Sequence, residues 1–324
     1  LLAVSLVGCA EVGPGDPSDA GYLMALFDQV REAPERVAHI GVRRLDLGYE
    51  IDGQEQTLSY LERIVTDGLG NYSLDTLEAL SPVSPAFFDL QVDRAGFYFL
   101  YRDFRVRDLA AFLENYAVTD LGRPIDYLGR SAWEFEVGAK HVEAPLHYRL
   151  TLDVDTGILL SSSEIGPSGE VYSRLAYESI EFEPNLSGEV YYQPDNQETP
   201  AVLGALLDAT LGFAVRPPTA LPPGYHLLGI TSVVDNSGSP WVKFTYTDGV
   251  EPLFFLEGKP QGPKQGVKVG PGTVLKLQET EPDTVVWSQV GPVTWLQGKF
   301  GDVTRFAVGR LPKEELFDLV ESSL

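Results

Sequence analysis

Tyr148-Arg149-Leu150-Thr151-Leu152-Asp153-Val154-Asp155-Thr156-Gly157-Ile158-Leu159-Leu160 is the stretch from which the fold can be read. From His147 onward polar and apolar residues alternate, with Tyr148, Leu150, Leu152 and Val154 on one side and the polar residues on the other. Successive side chains of a strand point to opposite faces, so this alternation marks a half-buried antiparallel strand. Asp155-Thr156-Gly157 supplies turn chemistry, and residues 158–164 lead back. Gly166-Pro167-Ser168-Gly169 makes the next turn, into residues 171–182. The expected unit is an antiparallel meander.

The same periodicities organise the rest of the chain. Upstream, strands are expected at 37–45, 57–65, 87–92, 97–101 and 133–137. A helix precedes them: Leu23, Leu26, Phe27 and Val30 recur at helical spacing, with Ser18 or Asp19 as cap and Pro34 as its end. A second helix starts at Asp108 and shows Leu109, Phe112, Leu113 and Tyr116 on one face. Residues 184–200 are polar and proline-bearing, and 193–200 read as a linker. A helix over 202–211 should follow, with Thr199 as cap, Pro200 in its first turn and Gly212 as the stop. Further strands are expected at 225–234, 242–246, 253–257, 274–278, 284–290, 293–297 and 303–308, before a closing helix over 312–321. The fold class is α+β with two domains. Residues 1–19 form a signal remnant and tether, 20–192 a β-rich domain, 193–212 a linker and helix, and 213–324 a C-terminal domain.

The N-terminal run Leu1-Leu2-Ala3-Val4-Ser5-Leu6-Val7-Gly8-Cys9 carries no charge and ends in the chain's single cysteine. It reads as the end of a bacterial lipoprotein signal, with Cys9 as the lipidated residue. Residues 10–19 look like a flexible tether. The apolar run is far shorter than the ~20 residues that span a bilayer. The competing reading is a buried strand or the start of a helix. On the lipoprotein reading the protein is extracytoplasmic and held on the periplasmic side of a membrane by acyl chains.

Bulk charge excludes some partners. With 24 Lys and Arg against 47 Asp and Glu, the 324-residue chain has a formal charge of −23. Such a surface repels phosphate, which argues against nucleic acid, and it offers no polybasic patch for anionic lipid.

Enzyme and metal signatures are missing. His39, His141, His147 and His226 show no ligand spacing, and no G-x-S-x-G or phosphate loop occurs. Asp153, Asp155 and Glu164 faintly suggest a calcium loop, but Ile158 stands where that loop needs glycine, so a hairpin turn is the expectation. No cofactor and no enzymatic activity are expected. Phe97-Tyr98-Phe99-Leu100-Tyr101 is apolar on both faces of its expected strand. Such a strand is either packed core or the wall of an apolar cavity, and on the second reading Phe97, Phe99 and Tyr101 bind a ligand.

Several of these segments, in order, resemble the periplasmic sigma-E regulatory proteins of the RseB/MucB family. The stretch Tyr148–Leu160 is similar to that family's Y-R-L-W-L-D-x-x-T-G-L-L-L, and Tyr127-Leu128-Gly129-Arg130 resembles the glycine–arginine preceding it. Leu221-Pro222-Pro223-Gly224-Tyr225 is similar to the L-P-x-G-F opening the family's smaller domain, and Tyr246-Thr247-Asp248-Gly249 to its Y-S-D-G. Leu311-Pro312-Lys313-Glu314-Glu315-Leu316 and Glu321-Ser322-Ser323-Leu324 resemble the closing helix of related regulators and sporulation lipoproteins. The resemblance implies a LolA/LolB-like curved antiparallel sheet wrapped around helices, with a hollow that takes lipid or lipoprotein acyl chains. It also implies a smaller α+β domain and an anti-sigma factor, or another envelope protein, as partner. An anchor at Cys9 would set this chain apart from the soluble members.

Overall fold

A computed structural model describes residues 20–51, 54–83, 98–122, 124–140, 147–192, 199–234, 238–259, 266–270, 273–276, 284–290 and 293–323. Cys9 and Phe97 lie outside the described residues, as does the strand expected at 87–92.

Helix α1 (Ala20–Arg36) opens the chain and is followed by β1 (Ala38–Ile51), β2 (Gln54–Asp67) and β3 (Tyr72–Ala79). After a π-helical turn at Tyr98–Arg102 come α2 (Leu109–Asn115), β4 (Tyr116–Asp120), β5 (Ile125–Tyr127), β6 (Arg130–Ala139), β7 (His147–Asp153), β8 (Leu159–Ile165) and β9 (Val171–Phe182). These strands build a nine-stranded sheet in the order β3-β2-β1-β9-β8-β7-β6-β4, with β5 beside β6. Every pairing in it is antiparallel. The meander expected from the Tyr148–Leu160 stretch is present as β7-β8-β9 at its centre.

The second sheet has seven strands, β10-β11-β12-β13-β18-β17-β16. They are β10 (Thr199–Pro200), β11 (His226–Val234), β12 (Pro240–Thr247), β13 (Pro252–Gly258), β16 (Thr284–Val290), β17 (Val293–Phe300) and β18 (Val303–Gly309). The hairpin β14 (Gly266–Gly270) and β15 (Thr273–Lys276) stands apart as a two-stranded sheet. Helices α3 (Ala205–Leu211) and α4 (Lys313–Glu321) cover one face of the seven-stranded sheet.

Packing explains both layers. Tyr22, Leu26, Phe27 and Val30 of α1 and Phe112 of α2 press onto Phe135, Val137, Tyr148, Leu150 and Leu152. Each fully buried aliphatic or aromatic side chain contributes roughly 1.5–3 kcal/mol. In the second sheet the period of two is clean. Val242, Phe244, Tyr246, Leu253 and Phe255 face the helices, while Trp241, Phe254, Leu256 and Phe306 form a separate cluster on the other side.

Four expectations change. Pro34 lies inside α1: proline gives up its own N–H bond and crowds the carbonyl four residues back, yet it falls in the last turn, where the Val37 N–H still reaches Ala33 O at 2.9 Å. The strand expected at 97–101 is instead the π-helical turn; a short run apolar on both faces cannot reveal its period. The helix expected over 202–211 begins only at Ala205, because Thr199 and Pro200 pair with β11 and Ala201 N–H bonds Ile230 O at 2.9 Å. Its stop at Gly212 stands, in the left-handed region at φ 74°. Finally, Val154 lies past the end of β7, and Thr151 and Asp153 on the expected polar face are buried. Asp153 accepts Thr156 N–H at 2.9 Å and Thr156 Oγ1–H at 2.8 Å, and it pairs with Arg130. Its carboxylate thus shapes a hairpin turn.

Candidate functional site

One turn of the second sheet, residues 247–251, docks directly on the first. Asp248 Oδ1 accepts the N–H groups of Val250 at 3.0 Å and Glu251 at 2.8 Å, which closes the turn locally. Its Oδ2 accepts the Tyr116 hydroxyl at 2.6 Å. Asn115 Nδ2 donates to Gly224 O at 3.0 Å and Asp248 O at 2.8 Å, and Arg107 N–H bonds Gly249 O at 2.7 Å. Val250, at the tip, is buried in the cluster formed by α1, α2, β6 and β7. The second sheet therefore inserts a side chain into the core of the first.

Charge surrounds this plug. Arg310 bonds Glu164 at 2.7 Å and Glu251 at 3.3 Å, and the Tyr148 hydroxyl also bonds Glu251. Burial disfavours the Arg310 cation, but Glu251 and Glu164 outweigh it and raise its pKa. Burial and then the Asp248 carboxylate push the Tyr116 phenol far up, so it stays a donor.

Beside the plug lies an open cleft of about 600 Å³. One wall is the second half of α1, with Arg31, Glu32, Glu35 and Arg36, and another is the β2–β3 turn at Leu69. Leu100, Tyr101 and residues 105–107 also line it, and Leu228 of β11 comes from the second sheet. Leu228 is aimed there by a β-bulge: β11 shifts register against β12 between Leu227 and Gly229. Arg105 pairs with Glu35 at 2.9 Å. Arg107 donates to Val250 O at 2.8 Å and Leu100 O at 2.6 Å, with its guanidinium over the Tyr101 ring at 5.2 Å. Burial, only partly offset by Glu251, lowers its pKa to about 10.

Beneath residues 103–105 a second cavity of about 60 Å³ reaches into the nine-stranded sheet. A buried ion cluster flanks it. Arg43 pairs with Glu62 and with Asp103 at 2.9 Å, and Arg102 bonds Glu62 at 2.8 Å and Asp103 at 2.7 Å. Burial would raise the Asp103 pKa, but Arg102 and Arg43 hold it below the usual carboxylate range. His39, which also lines the cavity, contacts the Tyr177 hydroxyl at 2.8 Å and Thr66 Oγ1 at 2.9 Å. Burial lowers its pKa to about 4.

Of the residues expected to bind a ligand, Phe97 lies outside the described residues, as does the side chain of Phe99. Tyr101 sits at the junction of the sheets, edge-on to Phe254 with centroids 5.1 Å apart, and lines the large cleft. Cys9 lies outside the described residues. Arg107, Leu228 and Val250 were not singled out by sequence. Tyr101 and the motifs Leu221-Pro222-Pro223-Gly224-Tyr225 and Tyr246-Thr247-Asp248-Gly249 are the parts of the sequence reading that fall at this place. Among the described residues no cluster of His, Cys, Asp or Glu could hold a metal ion, and no helix is long and apolar enough to cross a membrane.

No family model matches the chain, and no curated protein matches it. Solved structures do. The MucA/MucB complex of Pseudomonas aeruginosa aligns at TM-score 0.50 and 15% identity, over 91% of this chain and 96% of that one. A structure of MucB in complex with MucA(peri) aligns at TM-score 0.50 and 16% identity, over 93% and 97%. This chain has an RseB/MucB-like fold, with both sheets included in the match.

Proposed function

We propose that this chain is a non-enzymatic binding protein of the bacterial envelope that, like MucB, holds an extracytoplasmic segment of a partner protein, with an anti-sigma factor as the expected class. The observation that carries the reading is the two-sheet likeness to MucB, which was solved in complex with MucA, over more than nine-tenths of either chain. Residues 20–192 and 213–324 are the two domains of this reading. Cys9 is its lipid anchor, on the periplasmic side of the membrane.

An acyl-chain ligand is the second part of the proposal and has less support. Helices α1 and α2 fill the described part of the first sheet's hollow, and the cavity beside them is about 60 Å³. Sites for drug-sized ligands are roughly 300–1,000 Å³.

The test is capture of a membrane-embedded envelope protein by the tagged full chain from its native membranes, followed by mass spectrometry. Recovery of a single-span protein with an extracytoplasmic tail is expected. Failure to retain any such protein under conditions where the chain is folded rejects the reading. Native mass spectrometry of the same preparation checks for lipid.

A further inference from the structure

Residues 183–192 leave the end of β9 and cross the nine-stranded sheet to its far edge. Glu183 N–H bonds Ala38 O of β1 at 3.0 Å, Glu189 pairs with Arg63 of β2 at 2.6 Å, and Tyr192 N–H bonds Tyr72 O of β3 at 2.6 Å. Between these ties, Asn185-Leu186-Ser187 has the form Asn-x-Ser with x other than proline, the acceptor pattern for N-linked sugar. Asn185 Oδ1 accepts the Ser187 N–H at 3.0 Å, so the side chain closes an Asx turn. The Asn185 Nδ2 hydrogens have no partner among the described residues. Asn185 and Ser187 are both exposed. Gly188 follows at φ 91°, and a Cβ built there meets nothing within 4 Å. The segment is thus pinned on either side while its turn stands clear of the fold. The same pattern occurs at Asn71-Tyr72-Ser73. There the structure closes it. Asn71 Nδ2 donates to Asp67 Oδ2 at 2.6 Å. Tyr72 and Ser73 lie in β3, each 7% exposed, and Ser73 Oγ is buried.

We propose that Asn185 is a glycosylation site, which takes an oligosaccharide from a polyprenyl-pyrophosphate donor on the extracytoplasmic side of the membrane. The proposal rests on the envelope placement of the preceding section and is independent of the partner. In the transfer, Asn185 Nδ2 forms a bond to the anomeric carbon of the sugar. The bond from that carbon to the pyrophosphate oxygen breaks, and its electron pair leaves with the polyprenyl pyrophosphate. One Nδ2 proton passes to a base of the transferase. An amide nitrogen is a weak nucleophile, because its lone pair is delocalised into the carbonyl. The transferase therefore has to hold the amide and the serine hydroxyl two residues on together, which needs both on one exposed bend. Asn185 and Ser187 meet that condition, and Asn71 and Ser73 do not. A bulky, solubilising glycan has room beside Gly188.

The test is glycopeptide mapping, by mass spectrometry, of the full chain purified from its native membranes. The peptide carrying Asn185 should hold an oligosaccharide and the peptide carrying Asn71 none. Asn185→Gln and Ser187→Ala should each abolish the modification, while Ser187→Thr and Asn71→Gln keep it. Asn185→Gln and Ser187→Ala change exposed side chains, so the two variants should melt together and remain folded. A bare Asn185 in the native protein overturns the site. Sugar on Asn71 in its place overturns the structural argument, and sugar that survives Ser187→Ala overturns the transfer route. Partner capture keeps the two proposals apart. If a chain bare at Asn185 retains the partner, the function stands and this site falls. If the chain is glycosylated at Asn185 and retains no partner, the site stands and the function falls.

Discussion

The Tyr116 hydroxyl donates to Asp248 Oδ2 at 2.6 Å, across 132 positions of sequence, and this bond ties the strand after α2 to the turn that joins β12 and β13. The same aspartate closes its own turn through Oδ1, so one carboxylate both shapes the plug and fastens it. Removing the hydroxyl leaves a partly buried carboxylate oxygen one donor short. Tyr116→Phe should cost about 1–3 kcal/mol in urea denaturation. A midpoint unchanged from the wild type would show that the bond adds nothing to docking.

Gly249 is the residue of the plug least open to change. Its φ is 112°, a region L side chains rarely adopt, and an added Cβ would stand 2.4 Å from Phe112 N. Backbone strain alone costs of order 1–3 kcal/mol, and the clash adds to it. Gly249→Ala should lower the melting temperature and expose the junction to limited proteolysis. A protease pattern identical to the wild type would mean that the sheets do not depend on this approach.

Arg310 lies between two carboxylates from different sheets, Glu164 and Glu251. Truncating it leaves both without that cation in a largely buried place. Breaking a buried pair by removing one partner costs roughly 3–5 kcal/mol, so Arg310→Ala should be among the most destabilising changes at the junction. Guanidinium denaturation checks this, and a loss below about 1 kcal/mol counts against a structural role for the pair.

His39 gives the fold a defined acid sensitivity. Its folded pKa is about 4, below the ordinary value of 6.5, because burial disfavours the imidazolium. The unfolded chain therefore binds the proton first as pH falls. The stability that comes from keeping this ring neutral is fully present above pH ~6.5 and is lost as pH falls toward ~4, with a total on the order of 3 kcal/mol. Denaturation midpoints should fall across that window in the wild type. The fall should be smaller in His39→Gln, and an equal slope in both proteins would assign the acid sensitivity to other groups.

Much of the architecture is legible without coordinates. The Tyr148–Leu160 stretch yields two strands and their turn, because Leu150 and Leu152 alternate with polar residues and Asp153, Thr156 and Gly157 carry their own turn chemistry. Asp108 is readable as a cap, and it accepts Ala111 N–H at 2.9 Å. β3, β4, β5, β10 and β14 escape notice. β3 mixes Asp75, Thr76 and Glu78 into a sheet edge, and β4 leaves α2 with no intervening turn residues. The helical turn at Tyr98–Arg102 is hidden for a different reason. Its conformation is set by distant partners: Arg102 joins Glu62 and Asp103, and Tyr101 packs on Phe254.

By itself the sequence determined what neighbouring residues can decide: the strand periods, the caps and turns, the order of the elements and the acidic charge. These depend on side chains a few positions apart, whose geometry the backbone imposes. Only the tertiary structure decided which side chains meet across the chain. It put Val250 into the core of the other sheet, turned Leu228 into the cleft through a register shift, and set Arg107 among carbonyl oxygens beside that cleft. The candidate site belongs to this second kind. A cleft between sheets is built from residues whose spacing in sequence follows no period, so no local pattern announces it.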